Sequence, residues 1–223
     1  MSSHSRPRFE AIVRLLPTVG ALADIGAGDL DLARLALACG RAARVVAVER
    51  SAGAFHRARE RAASDGRIDL RQGDGFDPVR PGETQAAVLA GLGGRAVARI
   101  VVRARDDGRG ALPPFILAAP NADALAAVAA LHACGFALVG TALVAEGPRL
   151  RPLVLARRGA LGTEGSGAPG GEVGGQPAQG TGAALWAAYV TERVTAWRRQ
   201  LPGAAPARAA VLALAIEEAE ATL

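Results

Sequence analysis

Ala23-Asp24-Ile25-Gly26-Ala27-Gly28-Asp29 closes one apolar run and opens an amphipathic one, and it holds the first residues able to do chemistry. Gly26 and Gly28 let the backbone turn tightly and come close to a ligand, beside a helix start whose free amides favour negative groups. A dinucleotide fingerprint, G-x-G-x-x-G, asks for a third small residue three places on. That place holds Asp31, a carboxylate where a pyrophosphate would lie, which argues against NAD and FAD. S-adenosylmethionine carries an amino group and no phosphate, so an acidic loop suits it. The plain alternative is a tight strand-to-helix turn with no ligand.

Three further stretches recur at similar places in the pattern. Glu49 ends the apolar run Val45–Val48, where an acid can accept both hydrogen bonds from a ribose diol. Asp74 and Gly75 follow the next run in Arg71-Gln72-Gly73-Asp74-Gly75-Phe76, placed for an adenine amine to donate to the acid and for the Gly75 amide to donate to the ring. A turn built on Gly and Asp is the alternative there. Ala90-Gly91-Leu92-Gly93-Gly94 offers only small residues and backbone, a close approach for cofactor or base. Asn121, in Ala119-Pro120-Asn121, can either bond a substrate base or cap a helix starting at Ala122. His4, His56 and His132 are scattered without acids at metal spacing, so no metal site is expected.

The elements that must position these residues follow from the hydrophobic pattern. Short apolar runs at Leu22–Ile25, Arg44–Val48, Ile68–Arg71, Ala86–Ala90 and Phe115–Ala118 alternate with helix-like stretches at 30–39, 52–63, 94–105 and 122–134. That alternation demands a parallel sheet with helical crossovers, an α/β Rossmann-like architecture. Two last runs, Ala137–Val144 and Leu150–Ala156, are joined by Ala145–Arg149, too short for a crossover, so they form an antiparallel hairpin. Five parallel strands plus such a hairpin distinguish S-adenosylmethionine-dependent methyltransferases from plain dinucleotide folds. Residues 159–184 are dominated by Gly, Ala, Pro, Ser and Thr and read as a flexible linker. The expected organisation is a cofactor-binding domain over 1–158, that linker, and a helical hairpin tail over 185–223. The tail would consist of a helix carrying Leu185, Tyr189, Val190, Val194 and Trp197, then one from about Ala207 to Thr222. It could pack on the body or reach a partner.

Composition narrows the setting. All 26 basic residues are arginine, and the net charge is +5. Residues 1–158 hold 22 Arg against 15 acids while 159–223 hold 4 against 6, so the basic excess lies in the main domain. Arg50, Arg57, Arg59, Arg61, Arg67 and Arg71 form a cluster suited to a polyanion, although a genome rich in G and C would also favour arginine. Cys39 and Cys134 are too few for a disulfide framework and fit a reducing cytoplasm. No charge-free run of eighteen apolar residues and no signal-peptide core are present, so membrane and secreted classes are not expected.

Together, A-D-I-G (23–26), Glu49, R-Q-G-D-G (71–75), A-G-L-G-G (90–94) and A-P-N (119–121) resemble the bacterial tRNA (adenine-22-N1)-methyltransferase family. The resemblance covers about residues 8–157, and the tail resembles a shortened form of that family's helical C-terminal domain. It implies S-adenosylmethionine binding by Asp24, Gly26, Gly28, Glu49, Asp74, Gly75 and Gly91, a substrate pocket near Gly91, Gly93, Gly94 and Asn121, and tRNA as the partner. It also implies a cytoplasmic enzyme of tRNA processing without metal, for which a monomer is one permitted state. The chain departs from the family where D-I-G-(S/T)-D-H-A-x-L-P is usual: Gly28 and Asp29 stand for the Asp-His pair, Asp31 follows, and Ala33 replaces the Pro. Adenine N1 has an in-plane lone pair and needs no base, and its methylated product is cationic. Asp29 and Asp31, with Asn121, are therefore the candidate catalytic residues. The alternatives are a noncatalytic cofactor- or RNA-binding module and a small-molecule methyltransferase.

Overall fold

The computed structural model describes residues 6–108, 110–146, 149–159 and 181–204. In chain order the elements are α1 (Arg6–Leu15), β1 (Val19–Ile25), α2 (Asp31–Ala38), β2 (Ala42–Glu49), α3 (Ala52–Ala63), β3 (Ile68–Gln72), β4 (Ala86–Ala90), α4 (Gly94–Asp106), β5 (Phe115–Ala119), α5 (Ala124–Ala133), β6 (Phe136–Glu146), β7 (Arg149–Arg158) and α6 (Thr181–Gln200). Seven strands form one sheet in the order β3-β2-β1-β4-β5-β7-β6. The first five are mutually parallel, and β7 runs antiparallel to both β5 and β6. Each expected strand is present, and the hairpin is antiparallel as its short connection requires.

The strands are near-continuous apolar runs because both faces of the sheet are covered. Side chains alternate between those faces. Leu22, Val45, Ala47 and Val88 point to α1, α2 and α3, whereas Ala23, Val46, Val48 and Leu89 point to α4, α5 and α6. Strand order reverses between β1 and β4, so the loops at their carboxyl ends part and leave a crevice. That crevice positions the site.

Two elements add to the sequence expectation. Helix α1 was not among the expected helices, yet its Ile12 and Val13, and Leu16 just past its end, are buried, each worth roughly 1.5–3 kcal/mol of apolar burial. At the other end, α6 begins at Thr181, within the stretch whose composition suggests a linker, and packs on the β6 side through buried Tyr189, Val190 and Val194. Most of the expected linker (160–180) and the expected second tail helix lie outside the described residues. No described helix is long and apolar enough to cross a membrane.

Candidate active site

The loop after β1 folds over the end of β2: the N–H groups of Gly26 and Ala27 both donate to the Val48 carbonyl, at 2.8 and 3.0 Å. Gly26 (φ 81°) and Gly28 (φ 53°) occupy the left-handed region that side chains rarely adopt, so the glycines are conformational requirements here. The same turn aims the Gly28 N–H at Glu49 Oε2, 3.0 Å away, while the Ser51 N–H donates to Oε1 at 2.7 Å. Glu49 is thus oriented from both flanking loops at the last position of β2. Leu30, fully buried, is held at φ 66° between Asp29 and Asp31. No side chain caps α2, so Asp29 is not a helix cap.

The loop after β1 borders a cavity of about 380 Å³ whose walls include Asp24, Gly26, Gly28, Asp29, Asp31 and Gly91, while Glu49 stands behind Gly28 and outside those walls. Asp24 is 2% exposed, and its Oδ2 has no hydrogen-bond partner. Burial raises its carboxyl to about 7, a Ala33 N–H bond opposes that rise, and the nearby Glu49 charge adds to it. Asp29 and Asp31 sit at the rim with arginines of α3 beside them: Arg57 Nε is 3.9 Å from Asp29, and Arg61 Nη1 is 3.4 Å from Asp31.

Farther along the sheet edge, Asp74 and Gly75 lie outside this cavity's walls. Arg103 of α4 holds Asp74 twice, donating to Oδ2 at 3.0 Å and to its carbonyl at 2.6 Å. Gly75 has a steric reason to be glycine, since a Cβ there would stand 2.8 Å from Ile100 Cγ2.

The loops after β4 and β5 are bound to each other. Asn121 N–H donates to the Leu92 carbonyl at 2.7 Å, and Gly94 N–H donates to the Ala122 carbonyl at 2.7 Å. The Asn121 side chain donates through Nδ2 to the Gly91 carbonyl at 2.6 Å and accepts at Oδ1 from Arg8 Nη1 at 2.6 Å. It caps nothing, because α5 starts at Ala124 and no side chain bonds its first turn. A second cavity, about 470 Å³, opens on the far side of Asn121 between α6 and the β6–β7 hairpin, with Arg151, Tyr189 and Arg193 in its walls.

A family model described as "Methyltransferase domain" matches residues 5–151. The chain belongs to this methyltransferase family. The tRNA (adenine(22)-N(1))-methyltransferase of Bacillus subtilis (strain 168) is 26% identical over 155 residues, covering 68% of this chain and 64% of that protein. The chain's match therefore spans less than two thirds of that relative's length. Among solved structures, the B. subtilis tRNA methyltransferase TrmK superposes with a TM-score of 0.68 at 20% identity, covering 96% of this chain and 97% of that one. TrmK of M. capricolum, solved in complex with S-adenosyl-homocysteine, gives 0.67 at 13% identity, covering 96% and 95%.

This methyltransferase domain also uses residues that the motifs did not reveal. Phe9 of α1 and Arg61 of α3 are cavity walls, and Arg8 is buried behind Asn121. The spacing of Phe9, Ile12, Val13 and Leu16 is the helical signal that would have found α1. The arginine cluster expected to face a polyanion is largely paired within the domain. Arg67 meets Asp65 at 2.8 Å, Arg71 meets Asp69 and Glu83 at 2.6 Å each, and Arg57 and Arg61 flank the rim acids, yet all of the cluster except Arg71 remains exposed to solvent. Among the described residues no three His, Cys, Asp or Glu side chains gather as a metal ion would require.

Proposed function

We propose that this methyltransferase uses S-adenosylmethionine to methylate tRNA in the cytoplasm, with adenine N1 as the acceptor. The observation that carries the reading is Asp24. An acid this deeply buried with an oxygen unused is costly unless a cation meets it, and the amino group of the methionyl moiety is such a cation. Glu49 offers carboxylate oxygens to a ribose diol, with backbone N–H groups already fixing their direction. The names of the relatives support tRNA and adenine as substrate.

When bound, the cofactor supplies an electrophilic methyl group on a sulfonium. The chain's own task is then alignment and exclusion of water, because adenine N1 has its lone pair ready and needs no proton removed. Asp29 and Asp31 place negative charge at the rim, favourable to an acceptor that becomes cationic, and Arg57 and Arg61 temper it. Asp74, gripped by Arg103 at the β3 end of the edge, would accept from the cofactor's adenine amine.

Incubating the pure protein with labelled S-adenosylmethionine and bulk tRNA lacking the modification, followed by nucleoside analysis, tests the reading. Labelled 1-methyladenosine is expected, with tRNA affinity falling steeply as salt rises. Cofactor binding without transfer to any tRNA would replace it with a binding module. Transfer only to small acceptors would replace the substrate.

A further inference from the structure

We propose that Arg8 is a positioning residue that sets the orientation of the Asn121 carboxamide and, through it, the Gly91 wall of the cofactor cavity. The inference rests on the methyltransferase reading of that cavity. Arg8 lies on α1 and is 6% exposed. Helix packing alone would be served better by an apolar side chain, since a buried guanidinium must recover its lost hydration. Burial works against its charge and lowers its pKa, while Glu146, 4.0 Å away, favours the charge. Its other partners lie in one place: it donates to the Ala119 carbonyl and to Asn121 Oδ1. Its Nε is buried with no partner, so the group is not held there by complete satisfaction.

The chemistry of the two side chains makes this contact a selector. A carboxamide has two nearly isosteric orientations, and only its oxygen can accept. Guanidinium has five donors and no acceptor, so it admits Oδ1 alone. With Oδ1 on Arg8, Nδ2 is left to donate to the Gly91 carbonyl, as observed at 2.6 Å. The flipped amide would set N–H against guanidinium and oxygen against carbonyl oxygen, two repulsions in place of two bonds. Among the described residues, Asn121 is otherwise pinned through its backbone, where its N–H donates to Leu92 and its carbonyl accepts from Arg151. Gly91 faces the cofactor cavity and Asn121 faces the second cavity, so Arg8 governs the partition between them.

The test uses the full chain with Arg8→Met, Arg8→Lys, Asn121→Ala and Asn121→Asp. Titration with S-adenosyl-homocysteine and thermal melting are recorded for each, and the side-chain amide NMR signals of Asn121 for the parent and the two Arg8 variants. The aspartate keeps the acceptor for Arg8 but loses the donor to Gly91. It should therefore melt close to the parent yet bind about five- to tenfold more weakly, as Arg8→Met should. The pair Arg8→Met with Asn121→Ala should bind no more weakly than Asn121→Ala alone. The Asn121 amide protons should exchange slowly in the parent and quickly in Arg8→Met. Additive losses, or unchanged affinity in Asn121→Asp, would overturn the proposal. Should Arg8→Met fail to fold, Arg8→Lys and Asn121→Asp carry the comparison. Should the parent bind no S-adenosyl-homocysteine, the functional reading fails, and the amide exchange still decides whether Arg8 orients Asn121.

Discussion

Asp24 keeps a buried oxygen without a partner, whereas Asn121, on the same sheet edge, has its side-chain oxygen, side-chain nitrogen, N–H and carbonyl all engaged by protein. The difference runs through both halves of the edge. On the β1–β2 side the loop backbone arches over open space, and a Cβ on Gly28 would touch nothing. On the β4–β5 side the loops press backbone to backbone, and a Cβ on Gly94 would overlap the Asp123 carbonyl. One half has polar capacity in reserve for a ligand. The other spends its capacity on holding the first half's wall still.

The sharpest way to break this contrast is Gly94→Ala. Its new methyl meets carbonyl groups of Ala122 and Asp123, which cannot swing aside as a side-chain tip can. The start of α4 must then separate from the loop before α5. A loss of several kcal/mol is expected, on the order of the larger overpacking and strain effects. Gly93→Ala, one residue earlier and facing open space, should melt near the parent. Equal melting of the two alanine variants would dissolve the idea of a rigid half.

On the receptive half, Glu49→Ala should leave folding intact but weaken S-adenosylmethionine binding. Removing a charged acceptor costs about 1.5–3 kcal/mol, which is about ten- to a hundredfold in affinity. Asp74→Ala should act in the same direction and less strongly, because Arg103 already occupies part of that carboxylate. Calorimetry showing parental affinity in both variants would remove the ribose and adenine assignments.

A third expectation uses pH. Burial raises Asp24 to about 7, so the folded state favours its protonated form. Its contribution to stability is complete below the unfolded value near pH 4 and disappears as pH rises through about 7. Between those limits one linked proton corresponds to about 1.4 kcal/mol per pH unit. Cofactor-free protein should therefore melt lower at about pH 7.5 than at about pH 5.5, and Asp24→Asn should flatten that slope. S-adenosylmethionine affinity should move oppositely, tightening as the carboxylate forms to receive the amino group. A slope that survives Asp24→Asn would assign it to another group.

Legibility in the sequence followed the same division. The receptive half was readable because its signals are local: a buried parallel strand is an apolar run, the turn after it needs glycine, and Asp24 and Glu49 sit at strand ends. The rigid half was not, because its meaning comes from partners far away in the chain. Asn121 reads as a cap or a base contact until Arg8, 113 residues earlier, is seen to hold it. Gly94 reads as an approach for a ligand, and the thing approached is another loop's backbone. The arginine cluster was legible as charge, and its pairing within the domain is local. Asp65 and Asp69 lie two residues before Arg67 and Arg71, close enough to neutralise them locally.

The smallest effect is expected at the rim of the cavity. Asp29 is 56% exposed at its side chain and Asp31 24%, each beside an arginine of α3. Exposed pairs of this kind contribute about 0–1 kcal/mol to stability, so Asp29→Asn with Asp31→Asn should barely shift the melting temperature. Any catalytic part comes from the positive charge developing on the acceptor, which the carboxylates favour and the arginines partly cancel. A three- to tenfold slower single turnover is expected, corresponding to about 0.6–1.4 kcal/mol, with cofactor affinity nearly constant. Restoring one acid at a time should show Asp31 as the larger share, since it is the more enclosed. Raising the salt should shrink the difference between parent and variant, because screening acts on exposed charges first. An unchanged turnover would leave the rim acids as partners of Arg57 and Arg61 alone, and alignment by the rigid half would then carry the acceptor chemistry by itself.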